Sequence, residues 1–192
     1  MSEKSTEKPA ENWTTALRYI SGRKTAEESL GFLAHISSTI RGTAEPRDVV
    51  PATAKACVPF FASAISLEAP AVHDEPVVQG PDEFAAALAE VRALAESAGR
   101  PRFVVSEHEG FSGQTDPRVL EQLRERGIGS AVALALDFRG VFGGHLVIVR
   151  GPAHRRGPVG PGDLALVSEV ADRVAAFNAF AFASRPAADA SQ

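Results

Sequence analysis

The spacing of apolar residues along the chain switches between helical and strand periods, and the switches predict its elements. Trp13 to Ile20 carries a short helical pattern, and Thr25-Ala-Glu-Glu28 then reads as a capping box, so a separate helix is expected from Thr25 to about Arg41. Leu30, Leu33, Ile36 and Ile40 recur along it at helical intervals, and Gly42 closes it. A third helix is expected over Arg47 to Phe60, followed by a half-buried strand from Ala62 to Glu68. His73 to Pro81 reads as loop, with at most a short extended piece at Val77-Val78. Asp82 to Ala98 places Phe84, Leu88 and Val91 on one helix side, between Asp82 as cap and Gly99 as stop. Arg102 to Ser106 is a strand, Glu107 to Thr115 a loop, and Pro117 to Arg126 a short helix started by Asp116.

The sharpest local signal is a hairpin, because two apolar runs, Ser130 to Phe138 and Val141 to Arg150, flank only Arg139-Gly140. A regular ladder then sets Phe138 opposite Val141 and carries Leu134 opposite His145 and Val132 opposite Val147 on one face. The other face takes Ala131, Ala133, Ala135, Leu146 and Ile148. A long helix from Leu164 to about Ser184 ends the pattern, with Asp163 expected as its cap and an apolar stripe of Val167, Val170, Val174, Phe177 and Ala181. Leu164, Ala171, Ala175, Asn178 and Phe182 widen that stripe beyond what one neighbour covers.

Composition narrows the class. The chain has 192 residues, 44% of them hydrophobic, enough for one core with helical extensions. Residues 1–12 and 185–192 bury almost nothing and are expected to be a disordered lead and tail around one domain, 13–184. A net charge of −4 without a basic stripe argues against nucleic acid. The single Cys57 excludes a disulfide framework or a Cys-rich metal site. With no signal segment and no long apolar run, a cytoplasmic protein without a membrane partner is expected.

His145 is the foremost candidate site residue, since an imidazole beside Gly143 on a face with Val132 and Leu134 has room to meet a ligand. The plainer alternative is a core imidazole held by a backbone carbonyl. Glu107, His108 and Glu109, followed by Gly110 and Phe111, have the makings of a mobile lid over a pocket, or of a solvated loop that Phe111 pins down. A metal held by that run is disfavoured, because successive strand residues point to opposite sides. Cys57 reads as a small buried hydrophobe, Phe60-Phe61 as core or dimer contact, and His154-Arg155-Arg156 as a solvated loop or an anion contact. No nucleophile elbow, phosphate loop or paired carboxylates at workable spacing appear, so neither catalysis nor a cofactor is indicated.

The order of elements, with Gly127-Ile128-Gly129-Ser130-Ala131, Arg139-Gly140, Gly144, Leu146 and Arg150, then Gly160-Pro-Gly-Asp-Leu-Ala-Leu166 and Ala175-Ala-Phe-Asn178-Ala179, resembles a GAF domain of the actinobacterial, stand-alone type over residues 29–183. Ala135, Gly143 and His145 depart from the family pattern, which usually has Pro, a bulky aliphatic and a small apolar residue there. The cyclic-nucleotide motif, the bilin cysteine and the several thiols of the reductase branch are missing, so those family activities are not expected. The resemblance implies an α/β (α+β) fold: a central antiparallel sheet of five or six strands, terminal helices on one face, further helices and the Glu107–Thr115 loop over the other.

By the same resemblance, the expected function is a non-catalytic small-molecule sensor or regulatory protein. It would act on a separate partner as a homodimer through residues 13–41 and 164–183, with His145, Glu107, His108, Phe111, Leu134 and Val132 around the ligand. The alternatives are an enzyme or biosynthetic accessory protein reusing the pocket through His145, Glu107 and His108, and a purely structural dimerisation module.

Overall fold

The computed structural model describes residues 8–183, with the side chains of residues 22–181 and 183. The expected tail, 185–192, and the first seven residues of the expected lead lie outside the described residues. α1 spans Lys8–Gly42 as one helix, so it takes in residues 8–12 and runs straight through the expected cap at Thr25. The capping signature is spent inside the helix: the Ser29 hydroxyl donates to the Thr25 carbonyl at 2.8 Å, and Arg23 pairs with Glu27 at 2.8 Å one turn on. A Thr followed by Glu at the third position suits a helix interior as well as a helix start.

After a 3₁₀ turn at Pro46–Asp48 come α2 (Val49–Cys57), β1 (Ala64–Ala69), β2 (His73–Gln79), α3 (Ala85–Ala98), β3 (Arg102–Ser106), α4 (Pro117–Glu125), β4 (Ser130–Phe138), β5 (Val141–Arg150) and α5 (Pro161–Ala183). β2 corrects the expected loop. Its sequence shows no alternation because it is an outer strand, paired only with β1 and largely exposed, where Pro76 leaves no missing hydrogen bond. The sheet has five strands in the order β2-β1-β5-β4-β3, every neighbouring pair antiparallel.

One face, with Ile65, Leu67, Val132, Leu134, Leu146 and Ile148, packs against α1, α2 and α5. The other, with Ala64, Ala131, Ala133, Val147 and Val149, packs against α3 and α4. Ala131 and Ala133 therefore face α3 and not the terminal helices. Ala87, Leu88, Val91 and Ala95 of α3 are buried on them, and the small strand side chains let the helix sit close.

The hairpin turn is as expected: Arg139 and Gly140 take φ of 54° and 79°, and Phe138 lies opposite Val141. Past Asp137 and Phe142 the register shifts, and Ala135, not Leu134, faces His145. β5 has inserted an extra residue at Gly143-Gly144, a bulge that moves every later side chain to the other face. Two close approaches require those glycines. A Cβ on Gly144, whose φ is +114°, would lie 2.1 Å from the Glu68 carbonyl oxygen, and one on Gly143 would lie 2.4 Å from the Asn178 amide nitrogen. Asn178, 4% exposed in α5, donates to the Gly143 carbonyl at 3.0 Å and accepts from the Ala71 amide at 3.2 Å. Gly143 thus makes room for Asn178, not for His145.

α5 begins earlier than expected, and Asp163 sits in its first turn instead of before it. Its approach is held by two buried serines facing each other on β3 and β4: Ser106 Oγ donates to the Val159 carbonyl at 2.7 Å, and Ser130 Oγ accepts from the Val159 amide at 2.9 Å.

Candidate functional site

Because of the bulge, His145 lies on the α3 face and its ring is mostly covered. Its Nδ1 is 3.5 Å from Glu68 Oε2 on β1 and 3.8 Å from Glu96 Oε1 on α3, and Phe142 meets the ring edge at a centroid distance of 5.0 Å. Arg92 of α3 occupies both carboxylates, at 2.9 Å to Glu68 and 2.8 Å to Glu96. The hydrogen bond and charge of Arg92, with a smaller contribution from His145, hold the Glu96 carboxyl below its ordinary value. This is a charged tie between α3 and the sheet, beside which the buried His145 Nδ1 makes no hydrogen bond among the described residues. Among the described residues no group of three or more His, Cys, Asp or Glu is placed to hold a metal ion.

The other expected site residues go elsewhere. Val132 and Leu134 face α5 across the sheet from His145, a consequence of the same bulge. Glu107 pairs with Arg124 of α4 at 2.8 Å. His108 Nδ1 accepts the Gly110 amide at 2.9 Å, capping a 3₁₀ turn at Glu109–Phe111, and its Nε2 would be 2.9 Å from a Cβ on Gly160. Phe111 is buried in the core on the terminal-helix side, so the loop wraps around the β3 edge instead of covering the α3 face. Nor is the loop a free lid, since Thr115 Oγ1 accepts the Ser106 amide and donates to the Ser106 carbonyl, both at 3.1 Å, clasping its two ends. The six residues form no single site. Burial pushes the Cys57 thiol up to about 12, which keeps it protonated and inert.

What the wrapped loop does create is a cleft of about 930 Å³ along the outer edge of β3. Leu94 of α3, Phe103 of β3 and Phe111 supply apolar walls, Gln114 and Thr115 polar ones, and Pro161 and Leu164 close it with the first turn of α5. Arg100 and Arg102 also line it, both exposed and neither in an ion pair among the described residues. Asp116, the acid nearby, is engaged as the α4 cap, accepting the Arg118 amide at 2.9 Å. β3 pairs only with β4, so its outer backbone edge also faces this space. Sequence reasoning missed the two arginines. Their only signal was their place on either side of Pro101, at the entry to a short strand.

No protein-family model matches the sequence, and no curated protein matches it. Among solved structures, the chain is similar to the GAF domain of a phosphoenolpyruvate-protein phosphotransferase from Coxiella burnetii, at TM-score 0.54 and 17% identity over 82% of this chain and 96% of that one. The GAF domain of an Acinetobacter phosphoenolpyruvate-protein phosphotransferase gives 0.51 and 14% over 81% and 96%. An N-acylhomoserine lactone dependent LuxR family transcription factor from Burkholderia cenocepacia gives 0.51 and 14% over 81% and 99%. At these identities the likeness speaks to the fold.

Proposed function

We propose that this chain, which has the fold of a GAF domain, is a non-catalytic regulatory protein that binds a small anion in the β3-edge cleft and reports its occupancy through the terminal helices to a separate protein. The observation that carries this reading is the pairing of a ligand-sized cleft with two arginines, Arg100 and Arg102, that have no counter-ion among the described residues. Pro161 and Leu164 belong to both the cleft and α5, so an occupant that prefers one seating of α5 shifts the helix population. A protein of the same fold that depends on an N-acylhomoserine lactone lends the reading general support. Glu107 pairs with Arg124 and His108 accepts the Gly110 amide, apart from His145 beside Glu68 on the α3 face, which supports the non-catalytic reading over the acid-base alternative.

The test is native mass spectrometry of protein purified from its own host, beside an Arg100→Gln/Arg102→Gln variant. A releasable small anion on the wild type, reduced at least tenfold on the variant, is expected. Equal occupancy of the two proteins, or none on either, overturns the reading.

The same reading makes the chain a homodimer through α1 and α5. Leu30 is 69% exposed on α1 and Phe180 72% exposed on α5, and covering such side chains favours association. Light scattering at micromolar concentration is expected to give about twice the 20.2 kDa chain mass, with Leu30→Glu shifting it toward the monomer. A wild-type species of the chain mass alone contradicts the dimer.

A further inference from the structure

A second cleft, of about 800 Å³, opens at the end of the sheet remote from the hairpin, where β5 leaves into Gly151-Pro152 and the chain enters β1 through Ser63. It shares no lining residue with the β3-edge cleft. Its walls are mainly apolar: Pro59, Phe60, Phe84 and Pro152. Gly151 and Gly127 line it without side chains, and a Cβ on Gly151 would stand 3.6 Å from the Phe84 ring.

The charges at its rim are unequal. Arg126 is matched by Glu90 at 2.8 Å. Arg155 is exposed and has no carboxylate partner among the described residues, yet its guanidinium is held 4.5 Å above the Phe60 ring. This contrasts with its neighbour Arg156, which is bound to Asp163. A guanidinium stacked on an aromatic wall is preoriented, with its outer donors free for an anion. Glu83 is the acid among the residues that line the cleft.

We infer that this cleft is a second ligand site, taking a flat aromatic carboxylate whose ring lies among Phe60, Phe84 and Pro152 and whose carboxylate meets Arg155. The apolar area supplies affinity, and the single fixed cation supplies orientation and selects charge. The site also touches the helices by a route of its own. Phe60 stacks on Phe32 of α1 at a centroid distance of 5.4 Å. The residue after Arg155 joins Asp163 of α5 at 2.9 Å and approaches Glu28 of α1 at 3.9 Å. An occupant therefore bears on α1 through Phe60 and on the first turn of α5 through Arg156, contacts that the β3-edge cleft does not use.

The probe is 2-naphthoate, followed by its fluorescence and by amide chemical shifts of the full chain, against the neutral 2-naphthamide. Saturable naphthoate binding is expected to shift the amides of residues 151–155. It should weaken at least tenfold in Arg155→Gln, tighten in Glu83→Gln, and disappear in Ala153→Trp, which fills the cleft from an exposed position. Arg100→Gln/Arg102→Gln should leave it unchanged, which separates this site from the one proposed above. Equal affinity for the amide, insensitivity to Arg155→Gln, shifts confined to residues 110–116, or no binding to millimolar concentration would each overturn the inference.

Discussion

Asp163→Ala is expected to be the most damaging single substitution, lowering stability by about 3–5 kcal/mol, because it orphans the buried Arg150 guanidinium and leaves Arg156 only Glu28 at 3.9 Å. Asp163 receives Arg150 at 2.8 Å on one oxygen and Arg156 at 2.9 Å on the other, and Oδ2 also accepts the Gly160 amide at 3.3 Å. Arg150 is fully buried, its Nε donating to the Phe61 carbonyl at 2.8 Å and its guanidinium lying 4.9 Å from the Phe61 ring. Arg150→Met removes a charge instead of orphaning one, and Asp163 keeps Arg156. Its expected cost is the loss of hydrogen bonds to the Phe61 and Gly157 carbonyls, about 1–2 kcal/mol. Urea unfolding of both variants measures the asymmetry, and equal losses would contradict it.

The pH dependence follows from the same carboxylate. Burial disfavours its charge, but the hydrogen bonds and charges of Arg150, then Arg156 and the Gly160 amide, outweigh burial and hold its pKa below the ordinary value. A depressed carboxyl contributes stability above its unfolded pKa of about 3.9, and that stability is lost as pH falls through the lower folded value. Below pH ~4 the wild type should therefore lose stability more steeply than Asp163→Ala.

Gly144→Ala is expected to come next. A positive φ costs a side-chain-bearing residue about 1–3 kcal/mol, and here the new Cβ also meets the Glu68 carbonyl at 2.1 Å, which forces β5 away from β1. Thermal unfolding should show a drop in Tm of several degrees, about 2–4 °C for each kcal/mol in a chain of this size. Gly31→Ala is the matched control: it is an exposed position of α1 with nothing near its absent Cβ, and it should gain about 0.5–1 kcal/mol. A Gly144→Ala protein as stable as the wild type would mean that the bulge does not hold the register.

The candidate site was much less legible in the sequence than the fold. Arg139-Gly140, the Asp116 cap and the Gly99 stop are local signals, and each sits where expected. His145 was a fair choice as an unusual strand residue, but its face depended on Gly143-Gly144 acting as a bulge. A glycine pair in a strand announces weakness without saying where the extra residue goes. Arg150 read as the charged end of a strand and is instead the largest fully buried side chain, because its partner lies beyond an intervening loop, in the first turn of α5.

By itself the sequence determined α3, α4, the 138–141 hairpin and the long last helix, while the antiparallel sheet was what the resemblance implied. Period, caps and turn residues act over a few positions and need no distant partner. The tertiary structure decided the rest. It kept α1 continuous, made an outer strand of 73–79, turned His145 toward α3, and carried the 107–115 loop around the β3 edge to form a cleft. The turn of His145 and the path of the loop rest on contacts between residues far apart in the chain: Gly144 with Glu68, Asn178 with Gly143, Ser106 with Val159. Such contacts leave no periodic trace in the sequence, because one side of each is backbone, and backbone is the same at every residue.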